Sequence, residues 1–262
     1  MNLIKSTSTF SFFTLVSRIT GYFRDVLIAI YLGSGPIADA FFVAFRIPNT
    51  FRRLFSEGTF NAAFVPSYSS QLAIKKKAKY FANTIFNILL ISLLFLVFLV
   101  EIFMPGFVFI IAPGFEKNID KLDLTITLTR ITFPFLLFVS LSSFFSAILN
   151  SHNKFAAASA TPIILNIILI LVLLFGKYLS DNLVYYLSYG VTFAGLIQLI
   201  FLIFFVKKYF IPKISFKFKS NKKIKLFFKK LFPSIFSSGV TQINILVGTI
   251  IASFQANAVS YL

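Results

Sequence analysis

Six arginines, at positions 18, 24, 46, 52, 53 and 130, all fall inside stretches apolar enough to be read as membrane helices. The 19 lysines instead fall in loops, near helix ends or at the N-terminus. An arginine at mid-membrane costs about 2.5–3.5 kcal/mol on insertion scales, so a set of them requires partners, water or an anionic ligand. Its guanidinium is a planar fork that grips phosphate through two parallel hydrogen bonds, which a lysine ammonium cannot do. The chemistry to look for is therefore recognition of a phosphate-bearing molecule within the membrane, weighed against structural pairing with Asp25, Asp39 and Glu57.

Helical spacing groups these charges. Arg18, Gly21 and Asp25 stand at i, i+3 and i+7, one stripe of a first helix, while Asp39, Arg46 and Arg53 follow at sevens along a second. Arg53 and Glu57 stand at i and i+4, in reach of each other. Only the Gly33-Ser34-Gly35-Pro36 turn separates the two helices, so they are neighbours. Their charged stripes can line one cavity holding up to five arginines against three acids. Other polar residues read more quietly. Glu101, Asn166 and Gln198 stand alone and read as helix-packing groups, and His152 in SHNKF reads as a solvated loop histidine. Ser237 to Asn244 carry enough polar side chains for a helix at a polar interface. One histidine and no cysteine exclude thiolate metal sites, disulfides and a cysteine nucleophile, and no metalloprotease, nucleotide-loop or serine-triad spacing is present. No catalytic residue, metal ligand or cofactor is expected.

The elements that hold these residues follow from composition. With 58% hydrophobic residues, 13% charged and a mean hydropathy of +0.88, a single soluble domain is excluded. A formal charge of +17 in so apolar a chain points to anionic lipid and not to nucleic acid. An all-α polytopic membrane protein is predicted, with seven spans near 8–32, 37–69, 81–112, 123–150, 156–176, 183–206 and 232–256. The second is too long for one straight helix. Pro48, Gly58 and Pro66 interrupt it, and Gly21, Pro48 and Gly58 are the expected hinge points. The start resembles a signal n-region but lacks a small-residue cleavage site, so it reads as a retained first helix. Residues 207–231 hold ten lysines and no acid, and read as a topogenic loop joining two helical lobes more readily than as a dedicated lipid site. The organisation expected is a six-helix lobe over 1–206, this basic linker, and over 232–262 the first helix of a second lobe. The apolar pattern resuming in ASFQANAVSYL implies that more chain follows.

SRITGYFRDVLIA (17–29) and ADAFFVAFRIPNTFRRLFSEGTFNAAFVP (38–66) closely resemble the signature of the MurJ/MviN family of lipid II flippases. APGF (112–115), ITFPF (131–135), AILN (147–150) and the polar start of the seventh span extend the likeness. The resemblance implies two six-helix lobes facing across a central cavity, in a fourteen-helix exporter about twice this long. It implies that Arg18, Arg24 and Arg52 handle the lipid diphosphate, with Asp39 also important and Arg53 beside them. Asp25, Glu57 and Ser17 would belong to a gate, on the cytoplasmic side for Asp25 and Glu57. Sodium ligands proposed for some members lie in the second lobe and are not carried over. The function implied is alternating-access transfer of lipid II to the outer leaflet of the bacterial inner membrane, driven by the membrane potential. The implied partners are lipid II, anionic lipids and other cell-wall synthesis proteins. An exporter of another polyprenyl-linked glycan, or a transport-dead cell-wall scaffold, stays open as an alternative. An enzyme acting on polyprenyl diphosphate would need a base or nucleophile set that is not there.

Counting basic residues by connection orients the chain. With the N-terminus inside, the inner segments carry 16 lysines and the outer loops only Lys117, Lys121 and Lys177. Because the chain has no cysteine, single cysteines report accessibility cleanly. A cysteine at Asn118 should be labelled from outside intact cells and one at Ser220 should not; the reverse pattern inverts the topology.

Overall fold

The computed structural model describes residues 3–54, 60–176, 182–215, 222–255 and 257–261, with side chains described except at 3–7, 51–54 and 235–238. Among the described residues the chain is all helical, without a strand. The helices are α1 (Leu3–Leu32), α2 (Pro36–Leu54), α3 (Phe60–Ser69), α4 (Lys75–Ile102), α5 (Met104–Ile111), α6 (Ile119–Thr132), α7 (Phe135–Ser151), α8 (Phe155–Gly176), α9 (Leu183–Val206) and α10 (Lys222–Ser253). Short 3₁₀ turns at Pro113–Lys117 and Val259–Tyr261 complete it.

Four elements are long and apolar enough to cross a membrane: α4, the joined α6–α7 (Ile119–Ser151), α8 and α9. A fifth is α10 if its halves 222–234 and 239–253, bent by 45°, are taken as one span. The expected first two spans exist as helices, but they fall short of that apolarity. Arg18, Arg24 and Asp25 interrupt α1, while Asp39 and three arginines interrupt α2. These helices are inserted by packing their polar stripes inward, not by uniform hydrophobicity.

The long second segment does separate, into α2 and α3, with the proposed hinge Gly58 and the acid Glu57 outside the described residues. Pro48 breaks nothing, since α2 runs through it, and Gly21 sits within an unbroken α1. The predicted fourth span is interrupted by Phe133 and Pro134 between α6 and α7, where Leu136 N–H turns to the Phe133 carbonyl. The basic connection is only partly a loop, because helix resumes at Lys222, ten residues before the expected Phe232. Ile224 and Phe227 are buried on it while Lys222, Lys223, Lys225, Lys229 and Lys230 stay exposed, so its first turns are amphipathic.

Two cores hold the bundle. At the lysine-rich end, Phe60, Phe64, Phe81 and Phe144 pack with Phe227 of α10, which meets the rings of Phe60, Phe64 and Phe81 edge-on at centroid distances of 5.9, 6.2 and 5.9 Å. A second core of Phe41, Phe45, Phe135, Leu165, Leu169 and Val191 joins α2 to α7, α8 and α9. α1 packs chiefly along α8. Just before the linker ends its described part, Asn83 and Asn87, one turn apart on α4, hold its backbone: Asn83 Oδ1 accepts from Lys213 N (2.6 Å), and Asn87 bonds both the Lys213 carbonyl (2.8 Å) and Ser215 N (3.0 Å).

At the other end α10 comes down on the 3₁₀ turn. Gly114 N donates to Ser253 Oγ (3.0 Å), and a Cβ on Gly114 would lie 2.2 Å from the Ser253 carbonyl oxygen. Only glycine admits this approach of two backbones. Gly114→Ala should destabilise the purified protein by about 1–3 kcal/mol in thermal unfolding. Gly248→Ala, on the same α10 but with open space around the added carbon, should be neutral or slightly stabilising. Equal stability of both variants would refute the α10 docking geometry.

Candidate functional site

The charged stripe of α1 and Arg46 of α2 border a polar chamber made of two adjacent cavities, of about 450 and 590 Å³, that share Arg24 and Asn49. The first part is bounded by Ser17, Arg18 and Gly21 of α1, Asn61 of α3, Asn150 of α7, and Ser159 and Asn166 of α8. The second is bounded by Asp25, Arg46 and Thr50 together with Asn244 and Gly248 of α10 and Ser260. A groove of larger volume, about 720 Å³, lies between α8 and α9, but Phe, Leu, Ile, Val and Tyr line it without a charge.

Asn166 organises the first part. Its Nδ2 donates to the Ser17 carbonyl (2.9 Å) and to Thr20 Oγ1 (3.1 Å), and its Oδ1 accepts from Arg24 Nη1 (2.8 Å). The Arg24 guanidinium also meets Asp25 Oδ1 through Nε (2.9 Å) and Nη2 (2.6 Å) and lies 5.9 Å from the Phe45 ring centroid. It is thus held on three sides, with 16% of its side chain exposed, while Asp25 keeps 63%. A Cβ on Gly21 would sit 3.4 Å from Asn166 Nδ2, an ordinary van der Waals contact, so the approach of α8 does not depend on glycine there. Arg18, one turn and a half away, is exposed to the chamber and makes no hydrogen bond or ion pair among the described residues. Asn61 Oδ1 is buried there without a partner among the described residues, a polar atom that costs about 1–3 kcal/mol unless a water or ligand answers it.

Of the residues singled out from sequence, Ser17, Arg18, Gly21, Arg24 and Asp25 meet at this chamber. Arg46 joins them, donating from Nη1 to Thr249 Oγ1 of α10 (2.8 Å). The side chains of Arg52 and Arg53 lie outside the described residues, as do Glu57 and Gly58. Asp39 is elsewhere: it is fully buried, accepting from Lys121 Nζ (2.6 Å) and from Ser260 N (2.8 Å). Lys121 is no loop lysine, since it is buried on α6 and also lies 3.9 Å over the Phe115 ring. Removing either partner would strand a buried charge, at about 3–5 kcal/mol. Asp25 shares its part of the chamber with Ser260, on the half of α1 away from Thr9, which borders the lysine-rich turn at Lys154. The sixteen residues between Thr9 and Asp25 amount to about 24 Å of helix. Asp25 therefore stands at the Asp39 end and not beside the lysine-rich, expected cytoplasmic, end.

Asn166 is the residue that sequence reasoning undervalued. Its signal was a lone amide in the otherwise apolar run 163–175 of Ile, Leu, Val and Phe, where only a specific partner justifies a polar group. His152 also differs from expectation: its ring is partly buried and stacks on Tyr209 at 4.3 Å. No group of three or more His, Cys, Asp or Glu able to hold a metal occurs among the described residues.

The sequence model of the family described as Lipid II flippase MurJ matches residues 28–262. The chain is 37% identical over its whole length to a "Probable lipid II flippase MurJ" of Rickettsia prowazekii, covering 52% of that protein. It is 40% identical to one of Rhizobium tropici, again over the whole chain and 50% of the relative. Among solved structures, "Lipid II flippase MurJ, inward closed conformation" superposes over 96% of this chain and 52% of its own, with a TM-score of 0.82 and 30% identity. An outward-facing multidrug MATE transporter of the MOP superfamily shares the fold alone, with a TM-score of 0.67 and 16% identity over 92% of this chain and 54% of its own. The chain spans about half the length of the curated relatives it matches. From motif to fold, the chain belongs to the lipid II flippase MurJ family.

Proposed function

We propose that this chain supplies the first lobe of a flippase that carries lipid II, the polyprenyl diphosphate-linked peptidoglycan precursor, across the bacterial inner membrane. The protein is then a transporter and not an enzyme, with its N-terminus and the lysine-rich end in the cytoplasm. The observation that carries the reading is Arg18: a guanidinium open to a polar chamber inside a membrane protein, beside the fixed cation Arg24. A diphosphate would take the fork of Arg18 first. Arg24, held by Asn166 and Asp25, would contribute field and position more than a free fork. The neutral amides and hydroxyls around them, Asn49, Asn61, Asn150 and Ser159, suit the sugar and peptide parts of such a headgroup. The polyprenyl tail would stay in lipid.

Alternating access needs a facing lobe, and α10, whose side chains at Asn244 and Thr249 close one side of the chamber, would be its first helix. The membrane potential offers a driving force of about 2.3 kcal/mol per charge per 100 mV for an anion leaving a negative cytoplasm. Anionic lipids and other cell-wall synthesis proteins are further partners on this reading.

The test separates substrate contact from structural pairing. In the full-length protein, Arg18→Lys should reduce complementation of flippase-depleted cells by about tenfold or more with normal membrane abundance, because the substitution keeps the charge but loses the fork. Arg24→Lys should lower abundance as well, because it strips bonds from Asn166 and Asp25. Wild-type complementation by Arg18→Lys would remove Arg18 from the substrate site.

A further inference from the structure

A second basic cavity lies outside the chamber, on the far side of Phe155, which borders both. It occupies about 460 Å³ between the α7–α8 turn and the end of α9. We propose that it binds the phosphate headgroup of an anionic phospholipid, with Lys154 and Lys208 as the recognising cations and Phe205 and Phe155 against the acyl chains.

The position argues for a lipid. α8 begins at Phe155 and α9 ends at Val206, and both are candidate spans, so the cavity stands at the level where a span leaves hydrocarbon for headgroups. Basic pockets between spanning helices at this level are the usual form of anionic headgroup sites. Its lining is half polar in kind: two lysines, Asn153 and Tyr209 against phenylalanines, and no acid. Lys154 and Lys208 come from different elements and make no ion pair among the described residues. Lys207, next in the chain, is instead engaged over the Phe204 ring at 4.3 Å, so the two neighbouring lysines are already differentiated.

The site is built, not merely basic. Asn153 takes a left-handed conformation (φ 59°) that folds the α7–α8 turn, and Lys154 N donates to the Leu149 carbonyl (2.8 Å), fixing where the lysine leaves the backbone. Tyr209 is held by the His152 ring, stacked at 4.3 Å and 23°, and His152 in turn lies 3.5 Å from Tyr68 Oη. Burial lowers the His152 pKa, so that ring stays neutral and the cavity's charge rests on the two lysines. Phe205, 43% exposed, stands beside them as an apolar wall that a free phosphate has no use for and an acyl chain does.

The experiment is native mass spectrometry of the purified full-length protein, offered phosphatidylglycerol or phosphatidylcholine in mixed micelles. Wild type should retain phosphatidylglycerol preferentially. Lys154→Ala with Lys208→Ala should cut that retention by about tenfold or more, as two charges near a lipid surface are each worth about 1 kcal/mol. Lys76→Ala with Lys79→Ala, equal in charge but outside the lining of the cavity, should leave retention unchanged, and Lys154→Arg with Lys208→Arg should preserve it. Three results would overturn the site: undiminished retention in the cavity double variant, an equal loss in the remote one, or displacement of the lipid by inorganic phosphate alone.

Discussion

Hydrocarbon gives a charge nothing to bond to, and this constraint decides how the first two helices can be placed. α1 bears Arg18, Arg24 and Asp25 on a helix that also exposes Phe12, Leu15, Tyr22, Phe23 and Ile30. One side must therefore meet lipid and the other protein or water. α8 is its chief neighbour, and the bonds from Asn166 to Ser17, Thr20 and Arg24 fix the register between them. If that amide were apolar, Arg24 would lose one of the contacts that orient it, and the chamber would lose its wall of fixed polarity. The acid beside Arg24 reduces the local charge without cancelling it, because Arg18 and Arg46 line the same chamber.

The two ends of α10 are fastened by different kinds of contact. Its amphipathic start is fastened by Phe227 in a cage of Phe60, Phe64 and Phe81, a large apolar contact with directional ring packing. Its far end rests on small polar contacts: Thr249 with Arg46, Ser253 with Gly114, and beyond it Ser260 with Asp39. Contacts of the second kind are individually worth about 1 kcal/mol, or somewhat more to a charge, and can exchange for water as a cavity opens. The start of α10 is thus held by apolar ring packing and its far end by exchangeable polar bonds.

The sequence made helices and their inward stripes legible because a charge in an apolar run has few places to go. Arg18 and Gly21 do line one part of the chamber, while Asp25 borders the other. What it did not make legible was partner choice across elements. Asp39, Arg46 and Arg53 at sevens suggested one stripe, yet Asp39 is consumed by Lys121, a residue 82 positions away that loop counting had placed outside the core. Spacing along a helix gives the face of Asp25 and not its depth, which only its shared cavity with Ser260 reveals. Lys222 to Leu231 were expected in a loop because their charge outweighed the helical spacing of Ile224 and Phe227, whose burial needs the aromatic cage of α3 and α4.

The charged face of α1 and Arg46 of α2 bound a chamber that must hold water within the membrane. Accessibility of single cysteines to a membrane-impermeant, charged thiosulfonate reagent in open membrane fragments tests it most directly. Ser159→Cys replaces a chamber-lining hydroxyl with a group of similar size, and Phe98→Cys places the thiol on the exposed apolar face of α4. Rapid modification at 159 with none at 98 is expected. Modification at neither position would mean that the chamber is dry, and would contradict this expectation.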